Sequence, residues 1–212
     1  MGLQAMLWDN DGVLVDTEPL YFEASARILS EVGVELTKRI FVQTSLTAGS
    51  SLLDLAPGGQ QKRETLRDRR NALYADLIAG QDLTIDGAKE TLEILTNRVR
   101  MMVVTSSRHD HFKIIHRSTE LLSYFEGVID REDYANSKPD PEPYLTGLAR
   151  LGVEADDCIV VEDSTRGMIS AIQAGLRCVV VPNMLTKDGD FSGAYKVVDS
   201  VRDVVEVVEE LL

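Results

Sequence analysis

Two carboxylates one residue apart, Asp9 and Asp11 in Asp9-Asn10-Asp11-Gly12, follow directly on the apolar run Ala5-Met6-Leu7-Trp8. Side chains on a strand alternate between its faces, but beyond the strand end both acids can turn into one crevice. Two like charges about 4 Å apart at a protein surface repel by roughly 4 kcal/mol, so the pair implies a bound cation, a shared proton or a reaction. A solvated turn built around Gly12 is the alternative.

Two more apolar runs end in polar groups, and a Pro-bracketed segment carries a third. Met101-Met102-Val103-Val104 leads into Thr105-Ser106-Ser107, hydroxyls and backbone N–H groups at a helix start that suit either an anion or an ordinary cap. In Ser137-Lys138-Pro139-Asp140-Pro141, Pro139 biases Lys138 toward extended backbone and so restricts where its ammonium can point. Cys158-Ile159-Val160-Val161 runs into Glu162-Asp163-Ser164, which reads as a Ser-capped helix start or as a pair of ligands. Ligands of open α/β sheets lie at the carboxyl ends of strands. Asp9, Asp11, Glu162 and Asp163, with the Thr105 hydroxyl and the Lys138 ammonium, would there suit a hard cation and a phosphate, and Mg²⁺ is the expected cofactor. Zinc is disfavoured. The histidines, His109, His111 and His116, fall on the helix expected after Ser107, where a His-x-His pair splays apart, and they are expected at the surface.

The elements that must position these groups are legible as alternation. Strands are expected at Gln4–Trp8, Arg100–Thr105, Gly127–Ile129, Cys158–Val161, Arg177–Val181 and Lys196–Val198, with helical periodicity between them. Val201, Val204, Val205, Val208 and Leu211 form an amphipathic stripe, Asp140-Pro141-Glu142 starts a helix with Asp140 as its cap, and Gly175 stops another. The expected fold class is α/β, a Rossmann-like parallel sheet. The first two strands are separated by about ninety residues, far more than a crossover needs. Helical segments at Pro19–Val32 and Gln61–Ile78, broken by Gly49-Ser50-Ser51 and Pro57-Gly58-Gly59, indicate a small α-helical cap domain over residues 17–82, inserted into a core of residues 1–16 and 83–212.

Bulk properties narrow the partners. The 212 residues can bury a substantial core, and a net charge of −13 disfavours nucleic acid. No run approaches a membrane span or a signal peptide, and Cys158 and Cys178 sit inside apolar runs as reduced core residues, so a cytoplasmic protein is expected. The oligomeric state is left open, a monomer included.

The motifs Trp8-Asp9-Asn10-Asp11-Gly12-Val13-Leu14-Val15-Asp16-Thr17-Glu18-Pro19, Val103-Val104-Thr105-Ser106-Ser107, Ser137-Lys138-Pro139-Asp140-Pro141-Glu142 and Val160-Val161-Glu162-Asp163-Ser164-x-x-Gly167 occur in order across essentially the whole chain. In this the chain resembles the haloacid dehalogenase superfamily, in its β-phosphoglucomutase and phosphoglycolate-phosphatase-like branch. The resemblance implies a Rossmann-like core with the first strand central and a helical cap inserted after the first motif. It implies Asp9 as nucleophile, taking the phosphoryl group as an aspartyl phosphate, and Asp11 as acid and base. It implies Mg²⁺ held by the Asp9 carboxylate, the Asp11 backbone carbonyl and Asp163, with Glu162 as ligand or just behind. Asn10, Thr105, the Ser106 N–H and Lys138 would bind the phosphate. Asp11 sets the chain apart from the dehalogenases, whose halide leaving group needs no proton. The sugar-phosphate mutases carry His where Tyr21 aligns and Arg where Leu52 aligns, so a phosphatase of small phosphorylated metabolites is the first expectation and a phosphomutase the second. Arg70 aligns with a basic cap position and, with Tyr21, would contact substrate; a solvated face of a charged helix is the other reading of Arg70. A phospho-acceptor receiver module shares the residue types but is shorter and lacks an insertion.

Overall fold

Four consecutive residues, Ala5, Met6, Leu7 and Trp8, are wholly buried, the burial of a strand covered on both faces at the centre of a parallel sheet. The computed structural model describes residues 2–212 and places this strand, β1 (Ala5–Trp8), between β2 (Arg100–Val104) and β4 (Cys158–Glu162). With β3 (Val128–Ile129), β5 (Arg177–Val180) and β6 (Lys196–Val197) the order is β3-β2-β1-β4-β5-β6, and every pair is parallel. All six expected strands form, each trimmed by up to a residue at its ends except β4, which extends through Glu162. Alternation sorts the side chains: Met6, Trp8, Met101, Val103, Ile159 and Val161 pack on one face, Leu7, Met102, Val104 and Val160 on the other. Burying each large apolar side chain contributes about 1.5–3 kcal/mol.

Trp8 is level with Val103 on one side and Val161 on the other, so Asp9, Val104 and Glu162 come out of the sheet at one height. The chain steps from β1 to β2 and β3 on one side, then crosses to β4 on the other. The crevice this reversal leaves at the strand ends is where ligands of such sheets bind.

Helices cover both faces. α1 (Glu18–Ser30) begins with an acid and Pro19, α2 (Lys38–Phe41) is one turn, and α3 (Gln60–Ile78) starts after Gly59. α4 (Ala88–Leu95) and α5 (His109–Ile115) flank β2 in sequence, while α6 (Glu142–Leu151), α7 (Thr165–Gln173) and α8 (Val204–Glu209) follow. The cap of α6 is Pro141 rather than Asp140. The Asp140 carboxylate accepts from the Glu142 N–H at 2.9 Å, which defers the helix by one residue. The amphipathic end divides into a tight turn at Val201–Asp203 and α8.

The segment between β1 and β2 is helical, with its own apolar cluster of Ile28, Leu29, Phe41, Leu46, Leu53 and Leu66. Its two connections to the sheet run side by side: the Asp16 N–H donates to Leu83 O at 2.8 Å and the Ile85 N–H to Leu14 O at 3.0 Å.

Candidate active site

Asp9 leaves β1 with its backbone N–H bonded to Val161 O at 2.9 Å, which fixes where its carboxylate emerges. The Lys138 Nζ reaches it from the far side of the crevice, 2.7 Å from Asp9 Oδ1, 2.8 Å from Glu162 Oε1 and 2.9 Å from Val104 O. All three of its donors are thus taken, over the ring of Tyr144. Glu162 is equally committed. Its Oε1 also accepts from the Tyr144 hydroxyl at 2.6 Å, and its Oε2 accepts from the Asp163 N–H at 3.1 Å and the Ser164 hydroxyl at 3.2 Å. Gly167 makes this possible, since a Cβ there would sit 2.0 Å from the Glu162 carboxylate.

Asp163 completes a cluster in which Asp9, Glu162 and Asp163 each offer an oxygen within 4.8 Å of the others, all buried. Gly12 admits it: at φ +88° the residue is in the left-handed region, and a Cβ would meet Asp163 Oδ2 at 2.4 Å. Burial, then the neighbouring Glu162, pushes the Asp9 carboxyl up to about 7 despite Lys138. Burial and then Glu18 raise Asp163 well above the ordinary range. Burial alone would lower Lys138, but Asp9 and Glu162 outweigh it and hold its ammonium above the ordinary value. Burial would likewise raise Glu162, yet Lys138 brings it below the ordinary value. Three buried carboxylates against one ammonium leave uncompensated negative charge in an all-oxygen donor set, which fits a hard divalent cation.

Asp11 is held from three directions. Thr17 Oγ1 donates to Oδ1, and Oδ2 accepts from Thr105 Oγ1 at 3.1 Å and from Asn10 Nδ2 at 3.3 Å. The Thr105 and Asn10 side chains are therefore engaged with Asp11, and neither lines a cavity of the site. Ser106 faces the site, together with Lys138 and the acids.

Two of the three histidines are not surface residues. His109 is exposed, but His111 and His116 are buried, because α5 turns that face inward: His111 Nε2 lies 3.2 Å from Asn71 O, and His116 Nε2 lies 2.8 Å from Asn10 Oδ1. Arg70 is likewise no solvated helix face. It is buried against Asn71 and donates to the Tyr21 hydroxyl, its guanidinium 4.6 Å from the Tyr21 ring centre. Both line a cavity of about 280 Å³ between the helical insertion and the sheet, and Asp11 and Ser106 lie on its other wall. Leu52 is buried in the insertion's own cluster.

Sequence reasoning missed several groups. Thr17 and Glu18 were within the first motif, and Arg166 filled an unassigned place in the last; Glu18 and Arg166 border both the cavity and the acidic cluster. Burial, partly offset by Arg166, pushes Glu18 up to about 8. Asn183 donates to Asp163 Oδ2 at 2.8 Å from just beyond β5, a strand end to which the same positional rule applied.

The chain matches the family model of the haloacid dehalogenase-like hydrolases over residues 6–181. It is 28% identical to a phosphorylated carbohydrates phosphatase of Thermotoga maritima, over 99% of this chain and 100% of that protein. It is 32% identical to a validoxylamine A 7'-phosphate phosphatase of Streptomyces hygroscopicus subsp. limoneus, over 82% of this chain and 83% of the other. In fold it is similar to CbbY of Rhodobacter sphaeroides, crystallised with xylulose-(1,5)bisphosphate, at a TM-score of 0.83 and 21% identity over 95% and 96% of the two chains. The chain belongs to the haloacid dehalogenase-like hydrolase family, as an enzyme of phosphoric monoester hydrolysis.

Proposed function

We propose that this protein is a Mg²⁺-dependent phosphatase of a small phosphorylated metabolite, of the sugar phosphate or phosphoglycolate type, working through an aspartyl phosphate. The observation that carries the reading is the buried grouping of Asp9, Asp163, Glu162 and Lys138 at the end of β1, with Asp11 beside it on the wall of the cavity. Residues 17–82 act as a cap over a core of residues 1–16 and 83–212, and the cavity between them takes the substrate.

The Asp9 carboxylate attacks phosphorus, the ester P–O bond breaks, and Asp11 gives the departing oxygen its proton. Asp11 then takes a proton from the water that attacks the same phosphorus, and free phosphate leaves with Asp9 regenerated. The Asp9 carboxylate, the Asp11 backbone carbonyl and Asp163 would hold Mg²⁺, which would supply the positive charge that lets a carboxylate approach a phosphate. Glu162, with every lone pair already engaged, holds Lys138 against Asp9. Lys138, turning its donor on Asp9 to the phosphoryl group, and the Ser106 N–H hold the phosphoryl oxygens. General acid catalysis contributes about 10²–10⁴-fold, so charge neutralisation and positioning carry most of the rate.

The mutase reading is weaker on this geometry. Tyr21 stands where those enzymes carry His and is tied to Arg70, while Leu52 is buried away from the cavity. Similarity to a phosphorylated carbohydrates phosphatase supports a sugar phosphate as substrate. The reading places the enzyme in the cytoplasm, acting on small phosphate esters.

The test is phosphate release from a panel of sugar phosphates, phosphoglycolate and nucleotides, with and without Mg²⁺. Wild type should release phosphate only with the metal, and Asp9→Asn should lose at least about 10³-fold. An Asp9→Asn variant as active as wild type would overturn the assignment.

A further inference from the structure

The mechanism leaves several buried titratable groups without a task, and His116 is one that meets the first motif. His116, beyond the end of α5, is far in sequence from the first motif, yet its ring meets Asn10, the residue between the nucleophile and the acid. Its Nδ1 lies 2.7 Å from Thr119 Oγ1 and its Nε2 lies 2.8 Å from Asn10 Oδ1. The neighbours decide the tautomer. An amide oxygen can only accept, so Nε2 carries the proton, and Nδ1 accepts from the Thr119 hydroxyl. Burial holds the imidazole pKa down to about 4, which keeps the ring in that neutral form at physiological pH.

A proton on Nε2 also fixes the amide. With Oδ1 turned to His116, Nδ2 must face the Asp11 carboxylate, where it lies 3.3 Å from Oδ2. The reverse orientation would set the amide oxygen against a carboxylate. Asp11 Oδ2 then has two donors, Asn10 Nδ2 and Thr105 Oγ1, while Oδ1 has the hydroxyl of Thr17. The two donors on Oδ2 and the one on Oδ1 therefore fix the rotation of the Asp11 carboxylate.

We propose that His116 is a positioning residue of the phosphatase reaction: the relay Thr119, His116, Asn10 sets the rotation of the Asp11 carboxylate. This rests on the reading of Asp11 as general acid. His116 touches no reacting atom and makes no hydrogen bond to Asp9, Lys138 or Asp163.

Leaving-group dependence separates positioning from a merely structural role. An alkoxide needs the Asp11 proton to depart, whereas p-nitrophenolate leaves without it. The quantity to measure is kcat/KM, which reports the chemistry up to phosphoryl transfer to Asp9, for β-glycerol phosphate and for p-nitrophenyl phosphate with Mg²⁺ present. His116→Phe should lose about ten-fold or more on the glycerol ester and stay within about three-fold on the nitrophenyl ester. His116→Gln, which restores an N–H donor, should recover most of the loss. Thr119→Val, which keeps the volume and removes the hydroxyl, should show the same selectivity and serves where His116→Phe does not fold. Equal losses on both esters, or none on either, would overturn the proposal. Asp11→Asn is the reference: if it is itself unselective, the acid assignment fails. A selective Asp11→Asn beside unselective His116 and Thr119 variants refutes the relay alone.

Discussion

Lys138 and His116 illustrate two ways in which a buried ionisable side chain serves a site. Lys138 is 2% exposed and ties Asp9 to Glu162, so Lys138→Ala would strand two carboxylates in the interior. Breaking a buried pair costs about 3–5 kcal/mol. Urea unfolding should show a loss of that size, and phosphate release should fall at least about 10²-fold. Full stability in that variant would mean that the ammonium is not the counter-charge. His116 is held neutral, its pKa down from 6.5 to about 4. The unfolded chain takes up a proton near pH 6.5, whereas the folded one refuses it until about pH 4, so the unfolded state binds more protons in that window. This contribution to stability is complete above pH 6.5 and falls with acidification toward pH 4, by about 1.4 kcal/mol per pH unit. Denaturant midpoints measured across that range should fall less steeply for His116→Phe than for wild type. Identical slopes would contradict the assignment.

At the scale of elements, the site is made by strands that stop at one height and by glycines that let neighbours close in. Gly167 lies in the first turn of α7, and any Cβ there would displace Glu162 from Lys138. Gly167→Ala should cut phosphate release about 10²-fold or more, and a crystal structure should show Glu162 rotated. Unchanged activity would mean that the Glu162 bonds to Lys138 do not matter. The strand ends were legible because each apolar run stops abruptly at polar residues: Asp9 after Trp8, Thr105 after Val104, Asp163 at the end of β4. The insertion was legible from chain length. Thr17, Asn183, Arg166 and the buried side of α5 were not, because their roles come from tertiary approach. His109 and His111 differ in burial although two residues apart, and a helix of seven residues gives too little periodicity to say which side faces in. Arg70 was ambiguous for a related reason: α3 is charged along most of its length, and only packing against Tyr21 takes this arginine out of solvent.

For the whole molecule, the insertion and the sheet meet at the cavity, and Gly49 marks one close approach. At φ +66° it lies against the segment that carries Lys138, where a Cβ would be 2.8 Å from Lys138 O, a backbone atom that cannot swing aside. Gly49→Ala should hold the helical insertion off the Lys138 segment and lower kcat/KM about ten-fold or more, while thermal unfolding of the sheet stays near wild type, since the insertion has its own apolar cluster. An unaltered kcat/KM would show that closure at this contact is not needed. Arg70, Arg108, Arg131 and Arg166 line the cavity of a chain whose net charge is −13, so positive charge is concentrated where an anionic ester would enter. The proposed function turns on one event, transfer of a phosphoryl group to Asp9. Acid-quenching the enzyme during turnover with Mg²⁺, followed by mass spectrometry of the peptide that contains Asp9, tests it most directly. The account predicts the mass of one added phosphoryl group on that peptide in wild type and none in Asp9→Asn. Steady turnover with Asp9 never modified would contradict it.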